Sequence, residues 1–328
     1  MSPAPASSID ELLAAAELGS VRAVARLLSG IEAGGDRAAR VARALTGRPR
    51  NAVIVGLTGP PGVGKSTLTT SMVARLRAAG RRVAVLAVDP SSPFSGGALL
   101  GDRVRMAEHA TDPGVYIRSM SSRGQLGGLS AAAPAAADLF SAIGFDDVLV
   151  ETVGVGQNEI AVMRLADSVV VVLAPGMGDG IQAAKAGILE IADILVVNKA
   201  DHDGASATVR DLKGMVALGR SGTAEPHRWR VPVLSTVASS GDGTEELLGA
   251  LAAHRDHLDV SGARAGRRRV RAGVAVQAVV LERVVATLAS PAGVQRLAAA
   301  AGPVADGRTD HHRAAEQVLD WLGQRSTS

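Results

Sequence analysis

Seven short apolar runs, set between helix-patterned stretches, restrict this chain more than any other feature. They read AVIVGLTG (52–59), VAVLAVD (83–89), VYIRSM (115–120), DVLVETV (147–153), SVVVVLAP (168–175), ILVVNKAD (194–201) and VPVLSTVA (231–238). A strand with one wet face alternates apolar and polar residues. These runs are nearly continuous in Val, Ile and Leu, as strands buried on both faces are. Helices between them cover the two faces and return the chain, so neighbouring strands run parallel. The expected class is α/β, with a mainly parallel sheet flanked by helices over residues 51–260.

GPPGVGKS follows the first run at once and opens the helix-patterned STLTTSMVARLRAAG. It fits G-x-x-x-x-G-K-[ST] in the strand–loop–helix setting that a phosphate-binding P-loop requires. Gly59, Pro60, Pro61, Gly62, Val63 and Gly64 form the loop, and Gly62 and Gly64 let its backbone fold around phosphate with its N–H groups pointing inward. Lys65 is expected on the β- and γ-phosphates, Ser66 on Mg²⁺, and Thr67 in the first helical turn, where the dipole favours an anion.

The later run ends in NKAD. Ligands of an open parallel sheet sit beyond the carboxyl ends of its strands, and N-K-x-D there is a guanine-reading pattern. Asp201 accepts from the N1–H and exocyclic amine that adenine cannot offer, the Lys199 stem packs on the ring, and Asn198 fixes the loop. Ser235, Thr236, Val237 and Ala238 follow the next strand; they either support the base or form an ordinary strand-end turn. ETVG (151–154) puts Glu151 near Mg²⁺ or the attacking water, and the Gly154 N–H near the γ-phosphate. Asp89 ends a strand beside the P-loop and Asp102 lies in the Gly- and Ser-rich loop after it. Both suit Mg²⁺, which takes oxygen ligands and keeps several waters, so 89–106 reads as a switch. A third candidate switch, APGMGDGIQAAKAG (174–187), holds Asp179 and Lys185; a plain connecting loop is the alternative.

The flanks read as helices. In 8–48 apolar residues recur at three- and four-residue spacing, with Ser8 as N-cap and Glu11 three residues on. From 264 onward helices resume, broken by Gly and Pro near 291–307. The net charge is only +3, and the one dense basic stretch, RAGRRRVR (264–271), is open to a solvated face, a partner or nucleic acid. Lysine occurs four times against 31 arginines, and two of the four fall in nucleotide motifs. No cysteine excludes disulfides and thiolate metal sites. The N-terminus lacks a signal-peptide pattern, and the apolar runs fall short of the ~20 residues a bilayer span needs. The expectation is a cytoplasmic protein without nucleic acid or membrane partners.

With these residues assembled, the chain resembles the MeaB/ArgK-type GTPases, relatives of the methylmalonic aciduria type A protein. The resemblance is carried by GLTGPPGVGKSTL, VDPSSPFSGGALLGDRVRM, DVLVETVGVGQNE and LAPGMGDGIQAAKAGILEIADILVVNKAD. It implies an N-terminal helical extension (1–50), a P-loop GTPase domain (51–260) and a C-terminal helical dimerisation arm (261–328), forming a homodimer. It also implies binding and hydrolysis of GTP to GDP with Mg²⁺. The implied task is to gate adenosylcobalamin loading of an acyl-CoA mutase, most readily methylmalonyl-CoA mutase, and to protect that enzyme. It supports Lys65 and Ser66 on phosphate and metal, Asp89, Asp102 and Glu151 around the metal, and Asn198, Lys199 and Asp201 on guanine. Asp179 and Lys185 match the segment that relays nucleotide state to the mutase. Cobalamin belongs to the partner, because D-x-H-x-x-G is absent here; Asp310 and His312 lack the Gly. No Gln follows Gly154 to orient water and no internal arginine finger is identifiable, Arg118 and Arg123 being candidates only, so slow turnover raised by a partner that completes the site is expected. The competing readings are a nickel-insertion GTPase, a protein or amino-acid kinase of the ArgK kind, and a nucleic-acid-associated GTPase.

Overall fold

The computed structural model describes residues 8–89, 109, 111–121, 132–152, 164–176, 191–218 and 229–325. Among them, three helices, α1 (Ile9–Glu17), α2 (Val21–Glu32) and α3 (Gly35–Ala44), precede β1 (Val53–Thr58). Then come α4 (Lys65–Ala78), β2 (Val83–Asp89), β3 (Val115–Ser121), α5 (Ala132–Ala142), β4 (Asp147–Thr152), β5 (Ser168–Leu173) and β6 (Ile194–Asn198). They are followed by α6 (Ala205–Leu218), β7 (Val233–Thr236), α7 (Thr244–Val260) and α8 (Ala263–Ala289). Last are α9 (Pro291–Ala305) and α10 (His311–Arg325). All seven apolar runs are strands, and they form one sheet in the order β3-β2-β4-β1-β5-β6-β7. Every pairing is parallel.

Burial on both faces explains the unbroken apolar runs. Ile54, Leu86, Val150 and Val171 pack on one side with α1–α3, α5 and α6. Val55, Leu57, Val85, Leu149 and Val172 pack on the other with α4 and α7 through Leu68, Met72, Leu247 and Leu251. Alternate residues along one strand thus enter two cores. The N-terminal helices share the first of these cores. Their start is the expected capping box: the Glu11 N–H donates to Ser8 Oγ at 3.1 Å, and the Ser8 N–H to Glu11 Oε2 at 2.9 Å.

The chain divides into two compact units, one ending at Gly273 and the other beginning at Val274. The amino ends of β4, β5 and β6 carry Asp147, Asp167 and Asp193, each paired with an arginine. Here the basic stretch 264–271 departs from its solvent or nucleic-acid reading. Arg264 pairs with Asp259, Arg267 with Asp193, and Arg271 with Asp167, while Arg268 donates to the Arg50 carbonyl. These arginines fasten the first turns of α8 beneath the sheet.

In the second unit, Ser290 Oγ accepts from the Gly293 N–H and caps α9, whose first residue is Pro291, as the missing N–H allows. Asp310 caps α10 by accepting from the His312 and Arg313 N–H groups. Those bonds hold its carboxyl below the usual range. The strand runs are short, as expected, but α8 is by length and composition long and apolar enough to cross a bilayer. Glu282 and Arg283 interrupt it, however, and each charge is costly at a bilayer centre. Val276, Val280 and Val285 are exposed along this helix.

Candidate functional site

The carboxyl ends of β1, β4 and β6 converge on the loop between β1 and α4. Two glycines there have no substitute. A Cβ on Gly59 would lie 2.0 Å from the Val172 carbonyl oxygen, and one on Gly64, at φ +93°, would lie 2.4 Å from Asn198 Nδ2. The loop can therefore press against β5 and β6 only without side chains at these points. α4 then begins at Lys65, and the N–H groups of its first turn have no carbonyls within the helix to bond. Lys65 is 6% exposed. Its Nζ donates to the carbonyls of Gly59 at 2.7 Å and Pro60 at 3.0 Å, so the ammonium lies along the inner rim of the loop.

Ser66 turns the other way. Its Oγ donates to Glu151 Oε1 at 2.5 Å, and Thr69 Oγ1 lies 3.3 Å from Glu151 Oε2. Glu151 is buried at the end of β4. A buried hydroxyl against a buried carboxylate is an oxygen-only donor set, and it fits a hard divalent cation such as Mg²⁺. Asp89 ends β2 with Val88 in register with Thr152, which places its backbone next to Glu151's strand end. The side chain of Asp89 lies outside the described residues, as do Asp102, Gly154, Asp179 and Lys185.

The guanine motif is tied directly to the phosphate loop. Asn198 Nδ2 donates to the Val63 carbonyl at 2.8 Å, and Asn198 Oδ1 accepts from Thr236 Oγ1 at 3.1 Å and the Ala238 N–H at 3.0 Å. Of the two readings of 235–238, the structure favours the supporting one: Thr236 and Ala238 hold Asn198, while Ser235 is exposed. Lys199 Nζ donates to the Gly62 carbonyl at 2.9 Å. Lys199 has φ +57° and is the sole non-glycine with positive φ among the described residues. A left-handed residue of this kind costs roughly 1–2 kcal/mol, and such strain gathers at functional sites. Asp201, beside it, is more than half exposed and available to a base.

Two expectations change. Arg118 is no arginine finger: it lies in mid-β3, paired with Glu32 of α2, and that carboxylate raises its pKa further. Arg123 lies outside the described residues. Thr69 was not among the residues expected at the site. Its signal was its place three residues after Ser66, the spacing that shares a helix face.

The chain matches the family model for the methylmalonyl-CoA mutase-associated GTPase MeaB over residues 22–292. It is 47% identical over 272 residues to a protein of Pyrococcus abyssi named as a GTPase, covering 83% of this chain and 84% of that one. It is 40% identical to the mouse mitochondrial methylmalonic aciduria type A homolog over 66% of this chain and 52% of that protein. Among solved structures it is similar to an LAO/AO transport system kinase, with a TM-score of 0.70 and 25% identity, over 98% of this chain and all of that one.

Proposed function

Since this chain belongs to the MeaB family of GTPases, we propose that it binds and hydrolyses GTP to guard an adenosylcobalamin-dependent acyl-CoA mutase, methylmalonyl-CoA mutase by preference. The observation that carries the reading is the bond between Asn198 and the Val63 carbonyl. It joins the base-reading loop to the phosphate loop, so one guanine nucleotide meets both. Names of relatives support the partner: the family description names methylmalonyl-CoA mutase, and the mouse homolog is named for methylmalonic aciduria.

Each residue then has a task. Lys65 leaves the carbonyls of Gly59 and Pro60 for the β- and γ-phosphates. Ser66, with Asp89, Asp102 and Glu151, holds Mg²⁺, which when bound neutralises phosphate charge. Gly62, Val63, Gly64 and Thr67 offer backbone N–H groups. Gly154 senses the γ-phosphate, and Asp179 and Lys185 carry its state to the mutase. Cobalamin stays with the mutase. The exposed valines of α8 fit a homodimer seam in residues 261–328; a monomer by light scattering at micromolar concentration would count against it. A cytoplasmic location goes with this reading.

The test is GTP turnover by the purified protein, alone and with the host mutase. Turnover should rise severalfold with the mutase. If the mutase neither binds nor changes the rate, the partner assignment falls while the GTPase site stands. The kinase reading draws on the name of the similar solved structure and predicts phosphoryl transfer from ATP; binding of ATP as tightly as GTP would favour it. Base choice has its own check. Asp201→Asn replaces an acceptor-only carboxylate with an amide, removing one acceptor and adding a donor. GTP affinity should fall about 100-fold or more, in keeping with the cost of leaving buried base donors unpaired. Xanthosine triphosphate, with an acceptor in place of the amine, should bind better than to the parent. Unchanged GTP affinity would remove Asp201 from the base site.

A further inference from the structure

Glu151 is met on both carboxylate oxygens by hydroxyls from one helix, Ser66 on Oε1 and Thr69 on Oε2. We propose that Thr69 is a positioning residue for Glu151, fixing the plane of its carboxylate so that Ser66 can serve the cation. This rests on the reading of Glu151 as a group beside the metal and the attacking water.

Thr69 is 0% exposed, so its hydroxyl must find partners inside the protein. Its neighbour Thr70 gives its hydroxyl to the carbonyl four residues back, Ser66 O, at 3.0 Å. Thr69 stands the same distance from Lys65 O, but its hydroxyl also faces Glu151. The single proton is shared between the Lys65 carbonyl at 3.0 Å and the Glu151 carboxylate at 3.3 Å, a hydroxyl having one donor to divide between them. A glutamate has one more rotor than an aspartate, and its terminal torsion is broad. A bond from Ser66 on one oxygen and one from Thr69 on the other act together on that torsion. Ser66 and Thr69 lie three residues apart on one face of α4, so the helix that places the hydroxyl for the cation also places the hold on the carboxylate.

The experiment uses the full-length protein and follows GTP turnover against Mg²⁺ concentration, with fluorescent GDP binding as a control for folding. Thr69→Val removes the hydroxyl and keeps the shape. It should lower kcat roughly tenfold, the loss of one charge-assisted hydrogen bond, and raise half-saturating Mg²⁺ severalfold, with KM for GTP within about twofold. Thr69→Ser should restore both. In a Glu151→Ala background Thr69→Val should change kcat less than about twofold, since residues that act through one another are not additive. The proposal is overturned if Thr69→Val keeps the parent kcat and Mg²⁺ response, or costs as much in the Glu151→Ala background as alone. In either case the hydroxyl serves only the Lys65 carbonyl. Thr69→Ala repeats the test should the valine variant fail to fold, and failure of both beside an intact Thr69→Ser assigns the hydroxyl to folding and ends the proposal. Separately, parent-like turnover by Glu151→Ala alone would remove the role given to Glu151 itself.

Discussion

Lys65→Ala is expected to lower GTP turnover on the order of 10²–10³-fold, the usual consequence of removing one preorganised charge or donor from a transition state, while the protein stays folded. The ammonium is held in the loop by the Gly59 and Pro60 carbonyls and is almost wholly buried. It is therefore at the site before a phosphate arrives and needs only a short movement to reach one. Alanine fills none of that position, and the loop carbonyls lose a donor they can replace with water. The cost thus falls on catalysis and nucleotide binding more than on the fold. Lys65→Arg should fail nearly as badly, because a planar guanidinium cannot occupy the place of a compact point charge. Phosphate release, fluorescent GDP binding and a thermal melt separate the possibilities. A variant with a parent-like melt and parent-like turnover would show that hydrolysis occurs elsewhere, and the nucleotide reading of the loop would be lost with it.

Most of the architecture was legible because both of its signals are local. A strand buried on two faces has to be apolar at successive residues, and SVVVVL and ILVVN say so directly; both are wholly buried. The loop at 59–66 was legible for a different reason: its glycines answer to backbone geometry, and Gly59 and Gly64 stand where any Cβ meets the Val172 carbonyl or Asn198. What sequence could not give was side-chain pairing across distance. Asn198 was expected to fix its own loop, yet one of its bonds goes to Val63, which is 135 residues away. Arg118 looked free for phosphate because nothing in its neighbourhood marks Glu32, 86 residues earlier, as its partner. The stretch RAGRRRVR looked like a surface charge run for the same reason. Two of its counter-charges, Asp167 and Asp193, sit singly at the starts of β5 and β6, in segments that otherwise read as strand. A buried ion pair leaves half of its signal in each of two distant places.

That hidden cluster yields the largest expected effect on stability. Asp193, at the foot of the strand that ends in the guanine motif, accepts both terminal nitrogens of Arg267, at 2.6 and 2.7 Å. It also takes the Val169 N–H at 2.9 Å and faces buried His254 Nε2 at 3.3 Å. His254 in turn shares a 2.7 Å bond with Ser168 Oγ through Nδ1. This Ser, His and Asp are not a nucleophilic set: serine and histidine are each 1% exposed, and the carboxylate is already engaged by Arg267. Burial pushes the Asp193 carboxyl up, but bonds to Arg267 and His254 outweigh it and bring it down to about 2, from an ordinary 3.8. Asp193→Ala leaves the half-buried Arg267 without its carboxylate while it keeps the Asp167 carbonyl at 2.7 Å, so the cost should lie near the lower end of the about 3–5 kcal/mol for breaking a buried pair. The urea midpoint at pH 7 should fall accordingly. The pH dependence follows from the direction of the shift. A carboxylate whose folded pKa lies below its unfolded value stabilises the fold fully above the unfolded pKa and loses that contribution as pH falls through the folded one. The difference between 3.8 and about 2 corresponds to about 2 kcal/mol. The stability gap between the parent and Asp193→Ala should therefore be constant above pH ~5 and narrow as the pH is lowered toward 2. A gap that is small at pH 7, or that does not narrow on acidification, would mean that the arginines in the first turns of α8 contribute little to the fold.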